Sequence, residues 1–253
     1  MNWLEPRADV RVIAHRGSSH DAPENTLCAF ALARQDGADG VELDVMRCRT
    51  GQVIVFHDND LERLCGVVGD PRARSLAELR ELSVQGEPIP ELHEVIEVLG
   101  ASMLLNVELK TAPEWRGRVD NDGLADEVAR ILGHHGLGER ALVSSFDPVL
   151  LARFRRSAPT VVTGMLFAAD QSAPLRRGWA AQVLGTRAVH PESVLVDEAS
   201  VRSWHRRGLR VNVWTVDDPA EQRYLATIGV DGIITNRPRE TRVMLRAAMG
   251  AVS

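Results

Sequence analysis

Short apolar runs alternate with amphipathic stretches along most of the chain, and many of the apolar runs end on a charged or hydrogen-bonding residue. The first, Val10-Arg11-Val12-Ile13-Ala14, leads into His15-Arg16-Gly17 and reads as a buried parallel strand with the histidine at its carboxyl end. A polar loop follows through Pro23-Glu24-Asn25-Thr26. There Asn25 or Thr26 can cap a helix whose Leu27, Phe30 and Ala31 share a face. The next strand is Gly40-Val41-Glu42-Leu43-Asp44-Val45. Strand side chains alternate, so Val41, Leu43 and Val45 face one way and Glu42 and Asp44 the other. Arg49-Thr50-Gly51-Gln52 predicts a hairpin turn returning through Val53-Ile54-Val55-Phe56 to His57-Asp58.

Residues 59–90 break the alternation. They read as a polar loop followed by Ser75-Leu76-Ala77-Glu78, a capping box that opens a short helix, and together as a small insertion over one end of the fold. Pro90 is expected to begin a helix bearing Leu92, Val95, Ile96 and Leu99. Beyond it the pattern is regular. Strands are predicted at Met103–Leu109, Ala141–Ser144, Thr160–Phe167, Arg187–His190, Arg210–Trp214 and Asp231–Thr235. Helices are expected around Leu124–Leu132, after Asp147-Pro148, near Pro174–Val183, around Val201–Trp204, after Asp218-Pro219, and over Pro238–Met249. About eight strands, each followed by helical material and none by a glycine-rich nucleotide loop, favour a closed (β/α)8 barrel over a doubly wound sheet. The 253 residues form one domain of ordinary barrel length, with no linker or low-complexity segment.

Composition narrows the chemistry. A net charge of −5 gives no electrostatic case for nucleic acid or an anionic membrane. No apolar stretch is long enough to span a bilayer, and the N-terminus carries no signal-peptide pattern, so a cytoplasmic location is expected. Cys28, Cys48 and Cys65 are scattered and read as small buried hydrophobes in a reducing compartment. Of the 30 basic residues only Lys110 is a lysine. Nothing in the pattern sets an oligomeric state.

The unusual polar residues fall at predicted strand ends: His15, Glu42, Asp44, His57, Glu108, Lys110 and Trp214. In a barrel those ends share the rim where catalysis sits. Glu42, Asp44 and Glu108 offer oxygen ligands alone, a set that suits Mg²⁺ or Ca²⁺ rather than zinc. His15 and His57 are then free to act as general acid and base, in either order. Arg16 and Lys110 offer phosphate oxygens a fork and a point charge, an ensemble suited to displacement at phosphorus. Plainer readings exist: Arg16 can pair with Glu24, Glu108 and Lys110 can be a strand-face ion pair, and Trp214 can be barrel core. His20 and His190 are rim-lining candidates, whereas His134, His135 and His205 read as structural.

His15-Arg16-Gly17, Pro23-Glu24-Asn25-Thr26, Glu42-Leu43-Asp44-Val45, His57-Asp58 and Asn106-Val107-Glu108-Leu109-Lys110 together resemble the glycerophosphodiester phosphodiesterase family. Val211-Asn212-Val213-Trp214-Thr215-Val216 and Asp231-Gly232-Ile233-Ile234-Thr235-Asn236 extend the resemblance over nearly the whole chain. It implies a TIM barrel with an insertion after the second strand. It also implies metal-dependent hydrolysis of small glycerophosphodiesters to sn-glycerol 3-phosphate and an alcohol, within glycerol and lipid metabolism. Carried over residue by residue, Glu42, Asp44 and Glu108 match the family's metal ligands and His15 and His57 its acid/base pair. Arg16 and Lys110 match its phosphate contacts and Trp214 its aromatic wall. Residues 61–86 match poorly. Two rivals remain: a phospholipase-type enzyme on the same barrel, acting on lysolipids or releasing a cyclic phosphate, and a non-catalytic barrel that binds phosphodiesters. A zinc amidohydrolase is disfavoured by the missing His-x-His after the first strand.

Overall fold

The computed structural model describes residues 2–111, 123–171 and 178–250. Eight parallel strands close on themselves: β1 (Arg11–His15), β2 (Gly40–Arg47), β6 (Leu104–Leu109), β7 (Ala141–Ser145), β8 (Val162–Phe167), β9 (Ala188–Pro191), β10 (Arg210–Val213) and β11 (Gly232–Thr235). Closure comes from β1, which pairs with β11 on one side (Ile13 opposite Ile234) and with β2 on the other (His15 opposite Glu42). The apolar halves of the strands, such as Val41, Leu43, Val107, Val143, Val189 and Val211, pack outward against the surrounding helices. These helices are α1 (Leu27–Gln35), α4 (Leu92–Leu99), α5 (Leu124–His134), α6 (Pro148–Ser157), α7 (Trp179–Leu184), α8 (Glu198–Arg206), α9 (Pro219–Thr227) and α10 (Pro238–Gly250).

The barrel interior is layered. Ile13, Leu104, Leu142, Val162, Ala188 and Ile234 fill its lower part together with Trp3. Trp3 closes the amino-terminal rim and donates its indole N–H to the Arg140 carbonyl at 2.9 Å. One step further, the inward positions of five strands turn polar and stay buried: Glu42, Asn106, Ser144, His190 and Asn212. Two glycines make room for this layer. A Cβ on Gly164 would lie 2.8 Å from His190 Nε2, and one on Gly232 would lie 2.5 Å from Asn212 Oδ1.

The expected helix starts are met where a side chain can cap. Asp147 accepts from the Val149 and Leu150 N–H groups, and Asp218 from those of Ala220 and Glu221. At α1 the cap is Thr26, and Asn25 is used elsewhere. α4 begins at Leu92 rather than Pro90, because Glu91 and Glu94 form the capping box. Residues 172–177 of the helix expected near Pro174 lie outside the described residues.

The strand reached from the Arg49–Gln52 turn, β3 (Val53–Val55), is not a barrel strand. It pairs antiparallel with the upper end of β2, Val45 opposite Val55, and leaves His57 beside the rim. The stretch expected as a plain polar loop holds more order than its composition suggests. It contains α2 (Glu62–Cys65) and a 3-10 turn at Pro71–Ala73 ahead of α3 (Leu76–Arg80). A two-stranded ribbon then follows, β4 (Ser83–Val84) with β5 (Glu87–Pro88). The Ser75–Glu78 capping box is present. Met46, Ile54, Phe56, Leu61, Leu79, Val84 and Ile89 give the segment its own apolar core. Of the cysteines only Cys48 is buried; Cys28 is exposed and Cys65 half-buried, which corrects the expectation of three buried thiols.

Candidate active site

The strand ends deliver His15, Arg16, Glu42, His57, Glu108, Lys110 and Trp214 to one small cavity of about 100 Å³, which Asn106, Phe146 and Thr215 also line. Asp44 is buried beside them, and carboxylate oxygens of Glu42, Asp44 and Glu108 come within 4.8 Å of one another. Register accounts for this: Asp44 sits opposite Glu108 in the β2–β6 pairing, and Glu42 one inward step below.

Two tight turns bring the first loop over Asp44. Arg16 and Asn25 both adopt left-handed backbone, with φ of 56° and 59°. A side chain held there costs of order 1 kcal/mol or more, and such strain persists where the surroundings impose it. Here the Asn25 N–H donates to the Arg16 carbonyl at 3.0 Å. The Asn25 amide donates to Asp44 Oδ2 at 2.9 Å. Gly17 between the two turns is required by close approach, since a Cβ would lie 2.6 Å from the Ala29 backbone. Arg16 then spans two carboxylates, Nη1 at 2.7 Å from Glu24 and Nε at 3.2 Å from Asp44. The ion pair with Glu24 that the sequence offered as the plainer reading of Arg16 is therefore present.

Lys110 lies 2.9 Å from Glu108 and 3.4 Å from Asp44. Burial would lower its pKa, but these two carboxylates hold the ammonium above the usual lysine value. Burial would likewise raise Asp44, yet Lys110 and Arg16 keep its carboxyl below the ordinary carboxylate range. Glu42 goes the other way. Burial, then the charges of Asp44 and Glu108, push it well above the usual value. Glu108 is also raised by burial, with Lys110 opposing. The two cations leave one carboxylate's worth of charge uncompensated in a buried place, where a bare anion is costly. A divalent cation held by the three carboxylates resolves this, and the all-oxygen donor set fits a hard ion.

The histidines are partnered differently. His15 Nδ1 lies 2.7 Å from Asn236 Oδ1. The Asn236 amide nitrogen is committed to Asp217 at 2.6 Å, so its oxygen faces the ring and His15 carries its proton on Nδ1. Nε2 is left as a lone pair 3.9 Å from Glu42. Burial, reinforced by Arg16, pushes His15 down to about 4. His57 Nδ1 lies 2.6 Å from the Asp58 carboxylate. Burial would raise Asp58, but Arg63 and His57 bring it to about 2.

Trp214 lines the cavity edge-on to Phe146, ring centroids 5.6 Å apart, and its indole N–H donates to the His190 carbonyl at 2.7 Å. His190 itself is not a rim residue. Its ring is buried in the barrel between Asn212 at 3.0 Å and Asn106 at 3.4 Å, and burial lowers it to about 3. His20 is exposed beside Asp21 and does not line the cavity. His205 pairs with Asp231, as its structural reading expects. Asn25, Asn236, Asp217 and Phe146 were not singled out from sequence as site residues. Asn25 and Asn236 lie within the quoted motifs, but their polar partners become visible only in three dimensions.

A closed parallel barrel that gathers carboxylates, two histidines and two cations at its carboxyl-end rim defines a hydrolase of phosphate esters. A sequence model of the glycerophosphoryl diester phosphodiesterase family matches residues 15–240. A glycerophosphodiester phosphodiesterase of Caldanaerobacter subterraneus is 32% identical over 243 residues, covering 92% of this chain and 96% of its own. A glycerophosphoryl diester phosphodiesterase structure from Silicibacter pomeroyi, itself assigned only provisionally, superposes with a TM-score of 0.88 at 27% identity, covering 98% of this chain and 96% of that one. An Oleispira antarctica phosphodiesterase, solved with its product sn-glycerol-3-phosphate, is 30% identical with a TM-score of 0.80, covering 94% of this chain and 97% of that one. The chain belongs to the glycerophosphodiester phosphodiesterase family, and it is an enzyme of glycerophosphodiester hydrolysis. The family depends in general on a divalent metal, which the Glu42–Asp44–Glu108 cluster is suited to bind. No helix among the described residues is long and apolar enough to cross a membrane.

Proposed function

We propose that the barrel and its 59–90 insertion act as one unit that hydrolyses small glycerophosphodiesters to sn-glycerol 3-phosphate and an alcohol. The reading includes one Mg²⁺ or Ca²⁺ on Glu42, Asp44 and Glu108. The observation that carries it is the unlike partnering of two histidines in one cavity, an amide behind His15 and a carboxylate behind His57. When bound, the cation supplies Lewis-acid polarisation of a phosphoryl oxygen and offsets the charge that develops there. The chain's own residues do the rest. His15 Nε2 takes the proton of the attacking water as its oxygen bonds to phosphorus. The ester bond to the alcohol breaks, and His57, its ring held by Asp58 at Nδ1, protonates the departing oxygen. Arg16 and Lys110 hold non-bridging oxygens, and Trp214 with Phe146 gives the glycerol carbons an apolar wall. Soluble substrates are favoured over lysolipids by the insertion's surface: among its described residues Val68 is the one large apolar side chain that is exposed.

The test is phosphorus NMR of product formed in ¹⁸O water from glycerophosphocholine, glycerophosphoethanolamine, glycerophosphoglycerol and glycerophosphoinositol. Glycerol 3-phosphate carrying the label is expected. A cyclic phosphate as final product, or turnover restricted to lysolipids, would overturn the reading in favour of the phospholipase-type rival, and binding without turnover would favour a sensor.

Lys110 offers a sharper expectation. Its ammonium touches Glu108 and Asp44 together as a compact point charge, a placement that a broader planar guanidinium does not reproduce. Lys110→Met should lower kcat by roughly 10²-fold or more, the usual cost of a lost charge-stabilising donor. Lys110→Arg, with its charge kept, should still lose roughly 10-fold or more. Steady-state kinetics decide it: wild-type turnover in Lys110→Arg would show that charge alone matters.

A further inference from the structure

Arg63 belongs to the insertion, away from every strand end that builds the cavity. Its short helix α2 is held in place by Leu61, which is fully buried in the insertion's own core. The Asp60 carboxylate adds to this by accepting the Glu62 N–H at 2.7 Å and the Gly69 N–H at 3.0 Å. From there the guanidinium meets two carboxylates at once. Nε and Nη2 donate to Asp58 at 2.6 and 2.9 Å, and Nη1 and Nη2 donate to Glu24 at 3.0 and 2.9 Å. Each carboxylate holds a site residue as well. Asp58 Oδ1 is 2.6 Å from His57 Nδ1, and Glu24 Oε1 is 2.7 Å from Arg16 Nη1.

We infer that Arg63 is a positioning residue that sets the His57 ring through Asp58 and the Arg16 guanidinium through Glu24, so that one side chain of the insertion aligns both. The inference rests on the roles proposed above for His57 and Arg16. A planar fork is what the arrangement demands, since four N–H groups must reach two carboxylates, a task a point charge cannot perform. The Arg63 side chain is 52% exposed, and ion pairs so open to water add little stability. Its effect therefore lies in orientation. Without it Asp58 and Glu24 lose their shared counter-ion and repel, Asp58 turns to water, and the His57 ring is free to exchange its Nδ1–H for the other tautomer.

The experiment compares the full chain with Arg63→Met, Arg63→Lys and the double variant Arg63→Met/Asp58→Asn, each with excess Mg²⁺ or Ca²⁺. Two esters of glycerol 3-phosphate are used, one with choline and one with 4-nitrophenol, whose departure needs no proton. The expected result for Arg63→Met is a melting temperature close to wild type. Its kcat should fall roughly 10-fold or more on the choline ester, with a much smaller fall on the nitrophenyl ester. KM should rise several-fold on both esters, as Arg16 loses its brace. Arg63→Lys should restore little, and adding Asp58→Asn should cost little more, because both act along one chain of contacts. Nitrogen-15 NMR at alkaline pH, where the imidazole is neutral, should show the His57 ring protonated on Nδ1 in the wild type and a mixture of tautomers in Arg63→Met. Wild-type kcat in Arg63→Met, or equal losses on both esters with an unchanged His57 tautomer, would overturn the inference. Failure of the underlying reading is seen separately, as a wild-type chain with no turnover on any diester; the tautomer measurement then decides the role of Arg63 by itself.

Discussion

His15→Ala and His57→Ala are each expected to lower kcat by roughly 10²- to 10⁴-fold, the range for loss of a placed general acid or base. Neither ring carries the fold. His15 is held at the rim by Asn236 and His57 by Asp58, and both line the cavity rather than the core. Melting temperatures should therefore stay near wild type. The two losses should differ in kind. His57→Ala should be largely rescued on a 4-nitrophenyl ester, because that leaving group departs without a proton, whereas His15→Ala should not. The pH dependence follows from protonation of His15. A base works only while neutral, and burial with the Arg16 charge moves its titration from 6.5 to about 4. Activity should thus persist below pH 6.5 and fall as the pH approaches 4, and His15→Ala should lack that limb. Near-normal turnover in either variant on the choline ester would return that histidine to a structural role.

Exhaustive chelation should abolish turnover and also soften the protein. Glu42, Asp44 and Glu108 lie within 4.8 Å of one another, with Arg16 and Lys110 offsetting only part of their charge. A cation that binds only the folded chain stabilises it by mass action, about 2.7 kcal/mol at a hundredfold excess over its dissociation constant. For a chain of this length that corresponds to a rise in melting temperature of roughly 5–10 °C. Mg²⁺ and Ca²⁺ titrations followed by calorimetry should show the rise in the wild type and little of it in Asp44→Asn. The two cations should separate by how much turnover each restores after chelation. Full activity with all divalent ions removed would refute the assignment of the carboxylate cluster.

Period-two alternation was enough to place Glu42 and Asp44 on the inward face of β2 and Glu108 on that of β6, because side-chain direction in a strand follows from immediate neighbours. The capping signals at Asp147, Asp218 and Ser75 were legible for the same reason: a cap and the N–H it binds lie two or three residues apart. Convergence of the strand ends on one rim followed from the barrel topology that the alternation implied. The partners of those residues were decided by tertiary structure. His15 is oriented by Asn236, 221 positions away in sequence, because β1 pairs with β11 when the barrel closes. Asn25, readable as a cap, is drawn instead to the buried Asp44, whose need for donors outweighs a helix end that Thr26 can serve. His190, at a strand end like the others, is sealed below the rim because Gly164 and two asparagines leave a polar space for it there. The β2–β3 hairpin is local and was legible from its turn, whereas the reach of Arg63 to Glu24, 39 positions away, was not, because the first loop and the insertion meet only in the folded chain.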